Sequence, residues 1–429
     1  MYDPEPDVFP SPVSKIPSSR DPPINLPSFV ASSPENPQIR TGIYRGLDSN
    51  VGALPMAFTY KPFPVINSAN SISKYGRNNP TRPFQVIARY LEEGFSEYRH
   101  LLCLNTNVER VVKKGSEWVV ILRKSNETNN GIRQDYWWQE SFDAVVVATG
   151  HYTVPLVPAV WGVDEAFREF PEKFEHSKSF RSADNYVNKK VIVVGGSISS
   201  VDLVTDLSPI VKEPLYLSQR TKNPLLEEGF KLNGVVEKPP IRHITPHNGG
   251  TVEFEDGSTV ENFDKVIFAT GYRLSYPFLS PDPVTPQNRL AGFYQHIFKN
   301  DDPSLVVVGQ VKAALSFRVY EYQAVAVARF LAGRAAALPS LTEQKDWELK
   351  RLQYKGPTNN FHAIRPDLKD YFTWLRDFAG KPVPGTKGYE LPVWDEIWVS
   401  QGFEAVLTLR DKYWKSLQPS GAAEIRAKL

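Results

Sequence analysis

Gly195-Gly196-Ser197-Ile198-Ser199-Ser200 closes the apolar run "KKVIVV" and opens a stretch with apolar residues at helical spacing. A strand, a glycine turn and a helix start, in that order, can hold a phosphate. The first backbone N–H groups of a helix have no internal acceptor and carry the positive end of its dipole. Ile198, Val201, Val204 and Leu207 fall on one face of the predicted helix, and Pro209 ends it. Gly195 takes the first position of a dinucleotide fingerprint. Ser197 and Ser200 take the second and third, where small side chains still admit close backbone approach. The candidate cradle is therefore Gly195, Gly196, Ser197, Ser199 and Ser200, with Val201 and Asp202 on the following turn.

A glycine turn between a buried strand and a helix is also an ordinary packing device, and the next strand distinguishes the two. "EPLYLSQRTK" ends with Ser218, Arg220 and Lys222, and Ser218 lies 23 residues beyond Gly195. An acidic residue at that place would bond the ribose hydroxyls of NAD. A hydroxyl and cations suit a 2′-phosphate instead, which Arg220 can grip bidentately, so NADPH is preferred to NADH.

These residues need a scaffold, and the chain is long enough to build two or three lobes from its 429 residues. With 50 Lys and Arg against 48 Asp and Glu, and no basic block, there is no electrostatic case for nucleic acid. Cys103 is the only cysteine, which excludes a disulfide framework, a thiolate zinc site and a paired-cysteine redox centre. No apolar run reaches the roughly 18 residues of a membrane span, and the start "MYDPEPDVFPSP" is unlike a secretory signal. The expected location is cytoplasmic. Ala427-Lys428-Leu429 differ by one small residue from a peroxisomal address, which sets a peroxisomal location beside it.

Residues 1–40 hold ten prolines and are expected to be irregular. "PFQVIARYLEEGF" (83–95) reads as a helix and "EWVVILRK" (117–124) as a strand. "FDAVVVATGHY" (142–152) and "FDKVIFATGYR" (263–273) share one order, aromatic-Asp, apolar run, Ala-Thr-Gly, and bracket the cradle. Such bracketing fits an α/β chain in which one dinucleotide-binding domain is inserted in another lobe. The expected division is 1–40 irregular, 41–155 the first part of the outer domain, 156–268 the inserted domain, and 269–429 the return with C-terminal helices.

Further motifs accompany the cradle. "FPEKFEHSKSF" supplies Phe170, His176 and Phe180 just before it, with Glu172 where the related pattern has glycine. "FATGY" spans 268–272 and "ATGHY" 148–152, "YRGLDSNVGALPMAF" lies upstream, and "YQHIFKNDDPSLVVVGQ" downstream. Together, from about residue 40 onward, they resemble the flavin-containing monooxygenases, in particular shorter fungal-like members. The resemblance implies two nested Rossmann-like domains, with an NADPH domain inserted in an FAD domain. It also implies a first Gly-x-Gly-x-x-Gly βαβ unit for FAD, which is missing before Asn50; a sheet without that strand is expected to expose an edge.

By the same resemblance the chain is an N,N-dimethylaniline monooxygenase type of enzyme with FAD and NADPH as cofactors. A flavin C4a-hydroperoxide, formed with molecular oxygen, would oxygenate a small-molecule amine, thiol or sulfide. Asn50 is the candidate catalytic side chain, since its amide both donates and accepts; the alternative is that it bonds its own turn. Ser49 would lie beside NADPH, and His176 at the nicotinamide side or packed in the core. Val51, Val108, Thr149, Gly150 and Gln323 would contact flavin. A homodimer is left open. Rivals are a Baeyer–Villiger-type ketone oxygenase and a non-catalytic NADPH-binding remnant; a disulfide reductase is opposed by the single cysteine. The helical "WDEIWVSQGFEAVLTLRDKYW" is given no chemistry.

Overall fold

A computed structural model describes residues 19–34 and 40–418. The tail Ala427-Lys428-Leu429 lies outside the described residues, as does the start of the proline-rich segment. That segment is not irregular throughout. β1 (Ser28–Ala31) joins an antiparallel sheet with β2 (Thr106–Lys114), β3 (Glu117–Asn129) and β4 (Ile132–Phe142), in the order β1-β4-β3-β2. "SFVA" is too short to show a period, and it becomes a strand because β4 offers an open edge, with Ser28 opposite Trp137. Buried charges tie it down further. Arg123 bridges Glu109 at 2.7 Å and Asp135 at 2.9 Å, while Arg20 N–H donates to Glu109 and Ser33 N–H to Asp135.

α1 (Ala53–Met56), α2 (Ala69–Tyr75) and α3 (Phe84–Phe95) occupy the stretch between β1 and β2. α3 falls on the predicted 83–95 because Pro83, with its fixed φ, stands at its N-cap. β5 (Val145–Val147) and β6 (Val154–Pro155) then lead out to a separate sheet.

That second sheet contains, in chain order, β7 (Phe174–His176), β8 (Val191–Val194), β9 (Leu215–Ser218), β10 (Val235–Lys238) and β14 (Lys265–Phe268). Its spatial order is β10-β9-β8-β14-β7 and every neighbouring pair is parallel. α4 (Val163–Glu169), α5 (Ile198–Leu207) and α6 (Glu227–Phe230) and the small sheet β11 (Ile241–Thr245), β12 (Thr251–Phe254), β13 (Thr259–Glu261) cover its faces. A parallel strand is buried on both sides, which explains the unbroken "VIVV". Val191 and Val193 pack with Val201, Val204 and Leu207 of α5; Ile192 and Val194 pack with Phe254, Val266 and Phe268 on the other face. Glu172 stands in a short 3-10 turn, and its backbone is not left-handed, so glycine is not required there.

The two Ala-Thr-Gly segments end strands of different sheets. β14 belongs to the second sheet, whereas β5 pairs in parallel with β18 (Leu305–Val307) of a third sheet ordered β16-β17-β18-β5. β15 (Tyr272–Arg273) pairs antiparallel with β6, so the chain leaves and returns side by side, with Tyr152 edge-on to Tyr272 at 5.3 Å. The all-parallel sheet is thereby nested between β5 and the rest of the mixed third sheet, whose β16–β17 and β17–β18 pairs are antiparallel. β16 (Phe293–Tyr294) and β17 (Phe298–Lys299) precede β18. On its other side β5 has no strand among the described residues, and Val146 on one of its faces is 46% exposed. α7 (Phe317–Leu331), α8 (Leu341–Lys355) and α9 (Leu368–Ala379) follow. The chain then forms α10 (Ile397–Val399), a π-turn at Ser400–Glu404, and α11 (Ala405–Ser416).

Candidate functional site

The β8–α5 turn leaves no room for side chains. Gly195 has φ +134°, and a Cβ there would stand 2.5 Å from the Ala269 carbonyl oxygen. A Cβ on Gly196 would stand 2.8 Å from Gln219 Oε1 and from the Thr221 carbonyl. The turn is held by Gly195 N–H donating to the Ser218 carbonyl at 2.8 Å and Ser197 N–H donating to Ser200 Oγ at 2.8 Å. Ser197 and Ser199 are exposed at the start of α5; Ser200 N–H turns back to the Ser197 carbonyl at 3.1 Å, which leaves the N–H groups of Ile198 and Ser199 as the free donors of the first turn. Ser200 and Val201 are buried and shape the turn. A bare backbone turn at a helix start has the geometry a pyrophosphate needs.

At the end of β9, Arg220 is exposed and makes no ion pair among the described residues, while Lys222 is paired with Glu237. Ser218 departs from expectation. It is 1% exposed and its hydroxyl donates to the Pro239 carbonyl at 2.9 Å, so the hydroxyl fixes the strand end and has no surface for a ribose phosphate. Asp202 likewise turns away from the cradle, to Arg410.

His176 also departs from the nicotinamide-side reading. It is fully buried, Nε2 bonds the Gly271 carbonyl at 2.9 Å, and Nδ1 accepts from Lys178 N–H at 3.1 Å. Those partners place its proton on Nε2. Burial lowers its pKa to about 4 against the favourable carbonyl, and the neutral ring is a strut beneath the returning crossing.

Asn50 is exposed, and its amide has no hydrogen bond among the described residues, including none to its own turn. The loop around it is fixed at several points. Ser49 N–H donates to the Arg82 carbonyl at 2.8 Å, and Ser49 Oγ donates to the Val51 carbonyl at 2.9 Å while accepting from Arg82 N–H at 3.0 Å. Gly52 N–H donates to the Gly402 carbonyl at 2.9 Å, and Ala53 N–H to the Pro80 carbonyl at 2.8 Å. Ser49 is thus spent on the loop's shape, and Val51 is buried beneath it. The preceding segment runs along the nucleotide domain. Arg181 donates to the Thr41 carbonyl at 3.0 Å, Tyr44 packs edge-on to Phe180, and Asp48 accepts from Ser68 Oγ, near Lys74, which pairs with Asp206 of α5 at 2.9 Å.

The C-terminal ends of β5 and β18 meet at a narrow indentation, with no room for a water molecule, lined by Thr149, Gly150, Tyr276, Gly309 and Gln310. Crevices at this end of parallel strands bind ligands in open α/β sheets. Gln310 is 2% exposed; Tyr276 O–H donates to its Oε1, which leaves Nε2 buried without a partner. His151 is 8% exposed, and neither ring nitrogen has a well-formed hydrogen bond; burial lowers its pKa to about 4. Gln323 is enclosed. It accepts from Gly309 N–H at 2.8 Å and donates to Tyr371 O–H at 2.8 Å, so it holds the wall of the indentation rather than touching a ligand. Val108 lies apart, exposed at a bulge of β2.

Buried polar groups without partners at this strand end have the chemistry to meet the polar edge of a flavin ring. They do not make a second pyrophosphate cradle, and no glycine turn of that kind precedes Asn50 among the described residues. Gln310 and His151 stand inside the quoted "VVVGQ" and "ATGHY", yet nothing in residue type distinguishes them from turn residues; only their burial without partners does.

The flavin-binding monooxygenase-like family model matches residues 231–381, and that of the pyridine nucleotide-disulphide oxidoreductases residues 57–296. Flavin-containing monooxygenase FMO GS-OX-like 2 of Arabidopsis thaliana is 30% identical, covering 83% of this chain and 76% of its own. Flavin-containing monooxygenase ustF2 of Aspergillus flavus is 26% identical over 96% of this chain and 86% of its own. Among solved structures, S-allyl-L-cysteine S-oxygenase from Allium sativum superposes with a TM-score of 0.68 at 25% identity, covering 91% of this chain and 85% of that one.

Proposed function

Since this chain belongs to the flavin-containing monooxygenase family, we propose that it uses NADPH and FAD to place one atom of molecular oxygen on a nucleophilic sulfur or nitrogen of a small molecule. Membership implies a flavin and a pyridine nucleotide. The choice of NADPH rests on one observation, the exposed Arg220 at the end of β9 beside a glycine-only turn. A guanidinium there offers a bidentate, charge-assisted grip on a 2′-phosphate. The α5 start holds the pyrophosphate through its free N–H groups.

When bound, the flavin supplies oxygen activation; the chain supplies placement. Thr149, Gly150 and Gln310 hold the flavin edge, with the Gln310 amide as a donor. Asn50, unpaired and presented by a braced loop, orients the reacting group by donating or accepting a hydrogen bond. No charged nucleophile is needed, because a sulfide or a neutral amine supplies the electron pair itself. Sulfur is the first substrate to test, since the Allium sativum neighbour is an S-oxygenase.

The net reaction takes sulfide, O2, NADPH and a proton to sulfoxide, water and NADP+. Flavin-reconstituted protein under 18O2 is expected to yield sulfoxide carrying one labelled atom for each NADPH consumed. NADPH binding with neither oxygen uptake nor labelled product would overturn the proposal in favour of a nucleotide-binding remnant. Labelled lactone or ester from a ketone, with no sulfoxide, would overturn it in favour of a Baeyer–Villiger enzyme.

A further inference from the structure

The C-terminal helix, residues 397–416, touches both halves of the site. Its π-turn, Ser400–Glu404, packs on the Asn50 loop: the Gly402 carbonyl accepts Gly52 N–H at 2.9 Å, two residues from Asn50. The approach is so close that a Cβ on Gly52 would stand 2.0 Å from the Gln401 carbonyl oxygen. A Cβ on Gly402 would stand 2.7 Å from Pro55 Cγ and 3.0 Å from Leu315 Cδ2. A π-turn carries one extra residue per turn and so interrupts the regular helical ladder, and such turns concentrate at functional sites.

Eight residues further, about 12 Å along an α-helical axis, the same helix holds the back of α5. Arg410 bonds Asp202 and lies over the Trp414 ring at 4.9 Å. Trp414 Nε1–H donates to Thr205 Oγ1 at 3.0 Å, and Thr205 Oγ1 donates to the Val201 carbonyl at 2.7 Å. Trp414 is 2% exposed, and a Cβ on Gly229 would come within 2.7 Å of its ring. Asp202 and Thr205 belong to the helix whose first turn forms the nucleotide cradle.

We propose that this helix is the positioning element of the site, a single strut that fixes the Asn50 loop through Gly402 and the nucleotide helix through Arg410 and Trp414. The inference rests on the functional reading above for the roles of Asn50 and α5, and goes beyond it by assigning three positioning residues. None of the three touches a reactant. A rigid helix clamped at both ends couples them, because displacing one end moves the other. Misplacement of about 1 Å suffices to cost a reaction up to about a hundredfold.

Backbone amide exchange at Gly52, read by NMR on the full chain, tests this without requiring turnover. Loss of one hydrogen bond worth about 1.4 kcal/mol raises exchange about tenfold, and Gly402→Ala is expected to do so. The informative variants are remote: Trp414→Phe, which keeps the packing and removes the donor to Thr205, and Arg410→Lys, which serves if the first does not fold. Each is expected to raise Gly52 exchange at least threefold, while amides of β2 and β3 stay unchanged.

In flavin-loaded protein the same variants are expected to raise both the hydrogen peroxide released per NADPH consumed and the KM for NADPH, because α5 loses its hold. Unchanged Gly52 exchange in both remote variants would overturn the proposal whether or not the protein oxygenates anything. Altered Gly52 exchange in a protein that shows no oxygenase activity would leave the strut standing and remove the function instead.

Discussion

Four buried histidines make stability depend on pH in a window where few other groups titrate. His151 and His176 are held neutral, at about 4, by burial; His296 and His362 are driven well below the ordinary value for the same reason. In the unfolded chain each returns to about 6.5. The folded pKa is the lower one, so each histidine stabilises the fold above pH 6.5 and loses that contribution as pH falls. Between pH 7.5 and 5.5 a shift from about 6.5 to about 4 removes about 1.3 kcal/mol per group, hence about 2.7 kcal/mol for His151 and His176 together. His296 and His362 add loss of the same sign. Asp48 and Asp202, whose carboxyls are raised by burial, oppose it by taking up protons in the folded state.

A net fall of several kcal/mol is large against the 5–15 kcal/mol typical of a folded domain. Guanidinium unfolding followed by tryptophan fluorescence at half-unit steps from pH 7.5 to 5.5 reads this directly. His176→Gln, which can donate to the Gly271 carbonyl but does not titrate, is expected to reduce the slope between pH 6 and 5.5 by about 1.1 kcal/mol per pH unit. A flat wild-type profile, or an unchanged slope in His176→Gln, would refute the assignment of neutral buried rings.

Gly195→Ala forces a side chain against the Ala269 carbonyl at a left-handed backbone position, and calorimetry is expected to show NADP+ binding weakened at least tenfold. Asn50→Ala removes an exposed, unpaired amide, so the melting temperature is expected to stay within about 1 °C while sulfoxide formation falls about a hundredfold. Arg123→Ala leaves Glu109 and Asp135 buried without their counter-charge and is expected to destabilise the antiparallel sheet by about 3–5 kcal/mol in chemical denaturation.

The strand–turn–helix unit around Gly195 was legible in the sequence because its determinants are local. A continuous apolar strand, a glycine turn and an amphipathic helix lie within Val191–Leu207, and backbone geometry demands those residue types in that order. The crossings were legible through repetition, although sequence could not show that β5 and β14 end different sheets, since each strand's partners lie far away in the chain. Roles that depend on burial were not legible. Ser218 and His176 have the right chemistry at the right spacing, but only the fold shows their polar atoms spent on Pro239, Gly271 and Lys178. Conversely Gln310 and His151 gain interest only because the fold buries them without partners. β1 escaped notice because four residues between prolines carry no period; the C-terminal segment is legible as a helix, but its π-turn and its contacts are not, because a π-turn leaves no mark in residue type.

In the proposed function a pyridine nucleotide lies across the β8–α5 turn with its 2′-phosphate on Arg220. Titration calorimetry of NADP+ and NAD+ against wild type and Arg220→Ala measures this most directly. Loss of a hydrogen bond to a charged group costs about 1.5–3 kcal/mol, so NADP+ is expected to bind Arg220→Ala about 10- to 100-fold more weakly, with NAD+ within about twofold. Equal losses for both nucleotides, or no loss for either, would contradict it.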